Sequence, residues 1–133
     1  MGIGIEHWGR DPQGYFSGGY NLYMAARQLV KFGQLYLQGG VWNTQTIIQP
    51  EWVRDSTREH LFAHDQYSYG YLFFLFTANG HAVYKMWGYG GQYVYIVPSL
   101  DIVVVTTADT KKEFPELDGD AFLSRYILAA VAK

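Results

Sequence analysis

Between Gly70 and Thr107 the chain reads as four strand-like runs in quick succession: GYLFFLF (Gly70–Phe76), HAVYKMW (His81–Trp87), QYVYIVP (Gln92–Pro98) and DIVVVTT (Asp101–Thr107). The links between them are TANG (Thr77–Gly80), GYGG (Gly88–Gly91) and PSLD (Pro98–Asp101). That brevity constrains the topology more than any other feature. A parallel neighbour needs a crossover of roughly a dozen residues, whereas an antiparallel one needs only a tight turn. Short links carrying Gly or Asn are hairpin chemistry. The chain is therefore expected to build an antiparallel sheet. In the third run Val94, Ile96 and Pro98 alternate with Tyr93, Tyr95 and Val97, so successive side chains face opposite sides of the sheet. Val103, Val104 and Val105 do not alternate, which predicts burial on both faces.

The rest of the chain supplies helices. Residues 1–20 are punctuated by Gly and Pro and read as loop. Residues 21–58 read as helical, in two parts. In the first, Leu22, Ala25, Leu29, Phe32 and Tyr36 follow the spacing of one helix face. Asn21 is placed to cap its start, and Gly39-Gly40 to stop it. Gly33 costs the helix about 1 kcal/mol relative to Ala and so predicts a close packing contact. Val41–Ile48 is a turn-bearing connector. Pro50 then suits the first turn of a helix reaching about Arg58, with Trp52, Val53 and Ser56 on one face. After a polar stretch, DTKKEFPELDGD, residues 120–132 predict a terminal helix capped by Asp120, with Phe122, Tyr126, Ala129 and Ala130 as its apolar stripe. Helices packed on an antiparallel sheet make an α+β domain, and 133 residues suit one domain.

Composition removes several classes of function. The net charge of -2 and the lack of any Lys/Arg run give no electrostatic basis for nucleic acid or an anionic membrane surface. No apolar run approaches the ~20 residues of a membrane span, and MGIGIEHWGRD lacks the form of a signal peptide. The compartment stays open. With no cysteine, thiolate catalysis and Cys-based metal sites are excluded. His60 and His64 have helical spacing but no Glu in H-E-x-x-H register, and His7 and His81 add no metal spacing. Glu113, Glu116, Asp118 and Asp120 read as a solvated loop. Gly88-Tyr89-Gly90-Gly91 joins strands instead of opening a helix, so it is not a phosphate cradle. No cofactor is expected. Tyr67 and Tyr69 read as packing residues.

Three stretches together resemble the C-terminal part of the serine β-lactamase and penicillin-recognising family, most closely its class C and esterase-type branch. SGGYNLYMAARQLVKFGQLYLQGGVWNTQTIIQPEWV is similar to the family's Gly-rich lead into a helix and the connector after it. YSYGYLFFLF resembles the "YGYGWW" strand. WGYGGQYVYIVPSLDIVVVTTADT resembles its glycine turn and the two long strands that follow. The likeness covers about Gly14 to Thr110 and implies a partial β-lactamase/transpeptidase-like fold.

In that family the strand before the glycine turn carries a K-T-G or H-T-G motif. Met86-Trp87-Gly88 stands in its place here, with Lys85 one residue earlier, in position to act as base only if the register shifts. The resemblance implies that Met86, Trp87, Gly88, Tyr89, Gly90, Gly91 and Gln92 line the substrate cleft, where a glycine lets the backbone approach the acyl group. Met in place of Lys or His points toward esterase- or amidase-like members. The family's nucleophile is the Ser of S-x-x-K, assisted by Lys and by a Tyr or Ser of Y-x-N or S-x-N. None of Ser17, Ser56, Ser68, Ser99 and Ser124 has Lys at the third position after it, and no Y-x-N occurs. A serine without a neighbouring base is a weak nucleophile, so no catalytic residue is assigned in this chain.

The expectation is the C-terminal portion of a serine hydrolase of esters, amides or β-lactams, of a family often periplasmic or secreted, inactive by itself. The alternative is a non-catalytic binding or self-associating module of the same fold. Either way an open edge or face is expected to recruit a second copy or the missing N-terminal part.

Overall fold

The structure, a computed structural model, describes residues 1–108 and 118–131. Its centre is a six-stranded antiparallel sheet: β5 (Leu61–His64), β6 (Tyr67–Tyr69), β7 (Phe74–Ala78), β8 (His81–Gly88), β9 (Gln92–Val97) and β10 (Ile102–Thr106) lie side by side in chain order. Two small hairpins precede it. β1 (His7–Trp8) pairs with β2 (Leu22–Tyr23), and β3 (Val41–Trp42) with β4 (Gln45–Thr46). The helices are α1 (Ala26–Leu37), α2 (Pro50–Ser56) and a terminal helix over 119–131. None among the described residues is long and apolar enough to cross a membrane.

The antiparallel sheet and the α+β class are as the sequence predicts, but it has six strands where four were expected. The two additional strands, β5 and β6, lie before the first expected run, and of the run Gly70–Phe76 only Phe74–Phe76 is strand. Gly70 N–H donates to the Phe73 carbonyl at 2.9 Å, closing a turn that separates β6 from β7. Gly70 lies hard against the Ser56 carbonyl, where a Cβ would overlap it. The chain therefore bends there even though its composition is that of a continuous strand.

α1 begins at Ala26, not Asn21. Asn21 has φ +59 and joins β2 to the loop before it instead of capping a helix. Leu22, expected on the helix face, is an exposed strand residue. The stop at Gly39-Gly40 holds, with φ +64 and +89. Gly33 has the predicted packing reason: a Cβ there would stand 2.5 Å from Val103 Cγ1. α1 thus rests directly on β10, and Tyr36 packs against Phe73 at 4.8 Å between ring centroids. α2 stops at Ser56, short of Arg58. Val53 and Ser56 are buried, while Trp52 turns outward and stacks on Tyr71.

The opposite face is covered by the terminal helix. It starts as α3 (Gly119–Phe122), widens into a π-helical segment over Leu123–Leu128 and ends as α4 (Ala129–Val131). Its cap is Asp118, whose carboxylate accepts from Ala121 N–H at 2.9 Å, not Asp120. The buried residues are Leu123 and Leu128, both fully enclosed, whereas Tyr126 of the expected stripe is exposed. Five residues apart, these leucines would diverge on an α-helix, but the i→i+5 spacing of the π segment brings them to one face. They pack with Phe76, Val83, Tyr93, Tyr95 and Val97. With α1 on one side and this helix on the other, every residue of β9 from Tyr93 to Val97 is buried. β10 is only partly buried, although its unbroken valines predict burial on both faces, because it is the edge strand of the sheet.

A candidate cleft wall and the ion pair beneath it

β8 and β9 meet at the glycine turn. Trp87 pairs with Tyr93 and Gly88 with Gln92, leaving Tyr89, Gly90 and Gly91 as the connection. Gly90 and Gly91 have φ +76 and +86, a left-handed backbone that a side chain disfavours. The turn is braced by two side chains. Thr106 Oγ1 donates to the Gly91 carbonyl and Gln92 Nε2 to the Tyr89 carbonyl, each at 3.2 Å. Outside, Tyr89 is 86% exposed and Trp87 43%. The seven residues Met86–Gln92 therefore wrap one end of a hairpin. Alternation puts Met86 and Gly88 on the α1 side and Trp87 on the terminal-helix side. A ligand on one face meets one of these side chains, not both.

Lys85 is no free base. Its register, shared with Val83 and Trp87, turns it into the core on the terminal-helix side, where only 3% of it is exposed. Its ammonium lies 2.9 Å from Asp120 Oδ1 and 3.0 Å from Oδ2. Tyr95 OH donates to Oδ1 at 2.8 Å, and Tyr67 OH to Oδ2. Aromatic rings close the cage: Trp87 at 4.3 Å from Nζ, Tyr67 at 4.8 Å and Tyr93 at 4.9 Å. Each partner answers a cost. A buried charge is tolerated only when paired and hydrogen-bonded, and ring faces add attraction for a cation. Burial, then the bond to Asp120, raises the Tyr67 hydroxyl to about 12, and the same causes in the same order raise Tyr95 further. Both remain protonated donors at neutral pH, which the carboxylate requires.

Tyr67 is a core residue, as read from sequence. Tyr95, Lys85 and Asp120 as a unit were missed, and Asp120 is not a solvated loop residue. One signal was available: a lysine in the inward register of an apolar strand demands a buried counter-charge. Glu113 and Glu116 lie outside the described residues.

The serines are mostly committed elsewhere. Ser56 is buried and donates to the Val53 carbonyl, Ser68 donates to Glu59, and Ser124 donates to the Asp120 carbonyl. Ser99 differs: His81 Nδ1 lies 2.8 Å from its Oγ, a neighbour that sequence spacing did not show. This pair sits at the far end of β8 from the glycine turn, roughly 20 Å away by strand rise. Among the described residues, no cluster of three or more His, Asp or Glu is disposed to hold a metal ion.

Comparison with known proteins follows the same lines. A search of curated proteins gives no match. Among solved structures, one similar chain is a Bacillus anthracis protein assigned as a 6-aminohexanoate-dimer hydrolase. It superposes with a TM-score of 0.71 at 20% identity, over 96% of this chain and 35% of that one. The present chain thus spans about a third of that protein's length. The family model for beta-lactamases matches residues 4–129. Sequence pattern, sheet order and family match agree: the chain belongs to the beta-lactamase family of serine-hydrolase-like folds.

Proposed function

We propose that this chain forms the C-terminal wall of the acyl-binding cleft in a β-lactamase-like serine hydrolase acting on an ester, amide or β-lactam through an acyl-enzyme. The observation that carries the reading is the glycine turn: Gly88–Gln92 ends a strand pair with Gly88 and Gly90 half-buried and Gly91 buried, and hydrogen bonds from the Thr106 and Gln92 side chains hold its carbonyls. Preorganised backbone of this kind, with three of its five residues lacking a Cβ, is what stabilising an acyl oxyanion needs. The nucleophilic Ser, with its activating Lys and Tyr, comes from polypeptide beyond these residues. The likeness to a 6-aminohexanoate-dimer hydrolase over about a third of its length supports both the reaction class and the need for further chain.

Intact-mass measurement after incubation with an activated acyl ester, and separately with a β-lactam, tests this. The expected result is no adduct on this chain alone, and an adduct on an added S-x-x-K polypeptide only when this chain is present. An adduct on a serine here overturns the assignment, and Ser99, with His81 beside it, is the first position to inspect.

A second reading has its own observation. The outer edge of β10 pairs with no strand among the described residues, and Ile102–Thr106 carries neither charge nor proline to block addition of a strand. That favours association of two copies through this edge. Native mass spectrometry is expected to show a dimer that a Val104→Lys substitution dissolves; a monomer at all concentrations removes this reading.

A further inference from the structure

We propose that the Lys85–Asp120 pair, with Tyr67 and Tyr95, is a positioning lock that ties the terminal helix to the glycine turn and fixes the turn's conformation. The proposal rests on reading that turn as the cleft wall. Lys85 is not substrate-facing and touches no reacting atom. Its influence runs through the two residues on either side of the turn. Trp87, the last inward side chain of β8, covers the ammonium at 4.3 Å, and Tyr93, the first of β9, lies at 4.9 Å. These two are cross-strand partners, and only Gly88–Gln92 separates them in sequence. The ammonium thus holds both posts of the turn at once.

The other end of the lock is the terminal helix. Asp120 stands in its first turn, one residue after Gly119, which fits against Tyr93 and Tyr95 with no room for a Cβ. Asp120 reaches four donor contacts from three elements: Lys85 from β8, Tyr95 from β9 and Tyr67 from β6. An apolar core tolerates sliding of a helix by a fraction of a turn. A carboxylate with both oxygens engaged does not, because any shift strands a buried charge. A polar groove lined by Gln66, Asn79, Asp118 and Arg125 opens beside Asp120. It keeps the carboxylate partly hydrated, at 13% side-chain exposure against 3% for Lys85, which eases the desolvation of the pair.

A purely structural pair and a positioning pair differ in one readout. Replacing both charges by apolar groups, Lys85→Met with Asp120→Leu, strands no charge, and its cost is the lost acceptor of the Tyr67 and Tyr95 hydroxyls. The proposal expects this double variant to fold with a moderately lowered unfolding midpoint, and to show amide hydrogen exchange across 87–93 faster by about tenfold while α1 exchange stays unchanged. Equal protection of 87–93 in variant and parent overturns the proposal, as does acceleration spread evenly over 87–93 and α1. Should the double variant not fold, Tyr67→Phe removes one donor from the same carboxylate. A smaller rise confined to 87–93 is then expected, and no rise counts against the lock. Exchange is read without substrate, so its outcome is separate from whether an acyl ligand binds the turn. That is checked on the parent by amide shifts of Gly88–Gln92 with a slowly hydrolysed acyl phosphonate.

Discussion

Two residues on one strand behave as opposites. Lys85 carries a charge and is 3% exposed, whereas Trp87, the larger and more apolar side chain, is 43% exposed. Hydrophobicity alone would reverse that order. The difference lies in what each position offers. Lys85 meets Asp120, the Tyr67 hydroxyl and several ring faces, so its charge is satisfied. Trp87 sits where the sheet ends, with the lysine cage on one side and solvent on the other. The glycine turn beside it exposes Tyr89, is held by two side-chain hydrogen bonds and takes its two ends from the lysine cage. One region is therefore fixed by burial and charge pairing, and its neighbour by left-handed glycines between two ends anchored on that first region.

The largest test of that contrast is Asp120→Ala. It leaves the Lys85 ammonium buried without its counter-charge and is expected to cost about 3–5 kcal/mol, read as a lower urea midpoint with an unchanged slope. A loss near that of an ordinary surface substitution would mean the cage admits water and the pair is not buried in solution. Next is Gly91→Ala. It forces a Cβ onto φ +86 and against Ala108 at 3.4 Å, at an expected cost of about 1–2 kcal/mol. Its effect should be local, moving amide signals of 88–92 and sparing those of the terminal helix.

A third test uses pH. Tyr67, with an ordinary value of 10.0, is raised to about 12 by burial and by its bond to Asp120. In the unfolded chain the hydroxyl ionises first, so the native state holds the extra proton between those values. Its contribution is complete below the unfolded value and is lost as pH rises through about 12. Tyr67→Phe should flatten the alkaline decline in stability, which thermal unfolding from neutral to strongly alkaline pH would follow. The smallest expected effect belongs to Tyr89→Ala. At 86% exposure it should change stability by no more than ~0.5 kcal/mol, while weakening any acyl ligand that stacks on the turn. A large loss of stability would place Tyr89 in packing contacts that the contrast denies.

The antiparallel sheet was legible because links of four residues leave a strand no other partner, and the packing at Gly33 because a mid-helix glycine has an energetic cost to explain. The glycine turn was legible from composition and from family likeness. The six-strand count was not, since β5 and β6 fall in 61–69, a stretch outside the four runs, and the bend at Gly70 that delays β7 comes from the Ser56 carbonyl, which no local turn signal announces. The start of α1 was not, because Leu22 and Ala25 fit the helical period by coincidence while Asn21 takes a left-handed φ. The terminal-helix face was misjudged because periodicity assumes an α-helix, and Leu123–Leu128 is π-helical.

What the sequence by itself determined, then, is local: strand order, turn chemistry, the helices' existence and the family's glycine turn, all set by spacing and backbone preference over a few residues. What only the tertiary structure decided is which distant groups meet. Asp120 lies 35 residues beyond Lys85, and Tyr67 lies 18 before it. Nothing local brings them together. They converge because the sheet's pleat points Lys85 inward and the terminal helix packs across that face, and a charge once buried there must find its partner.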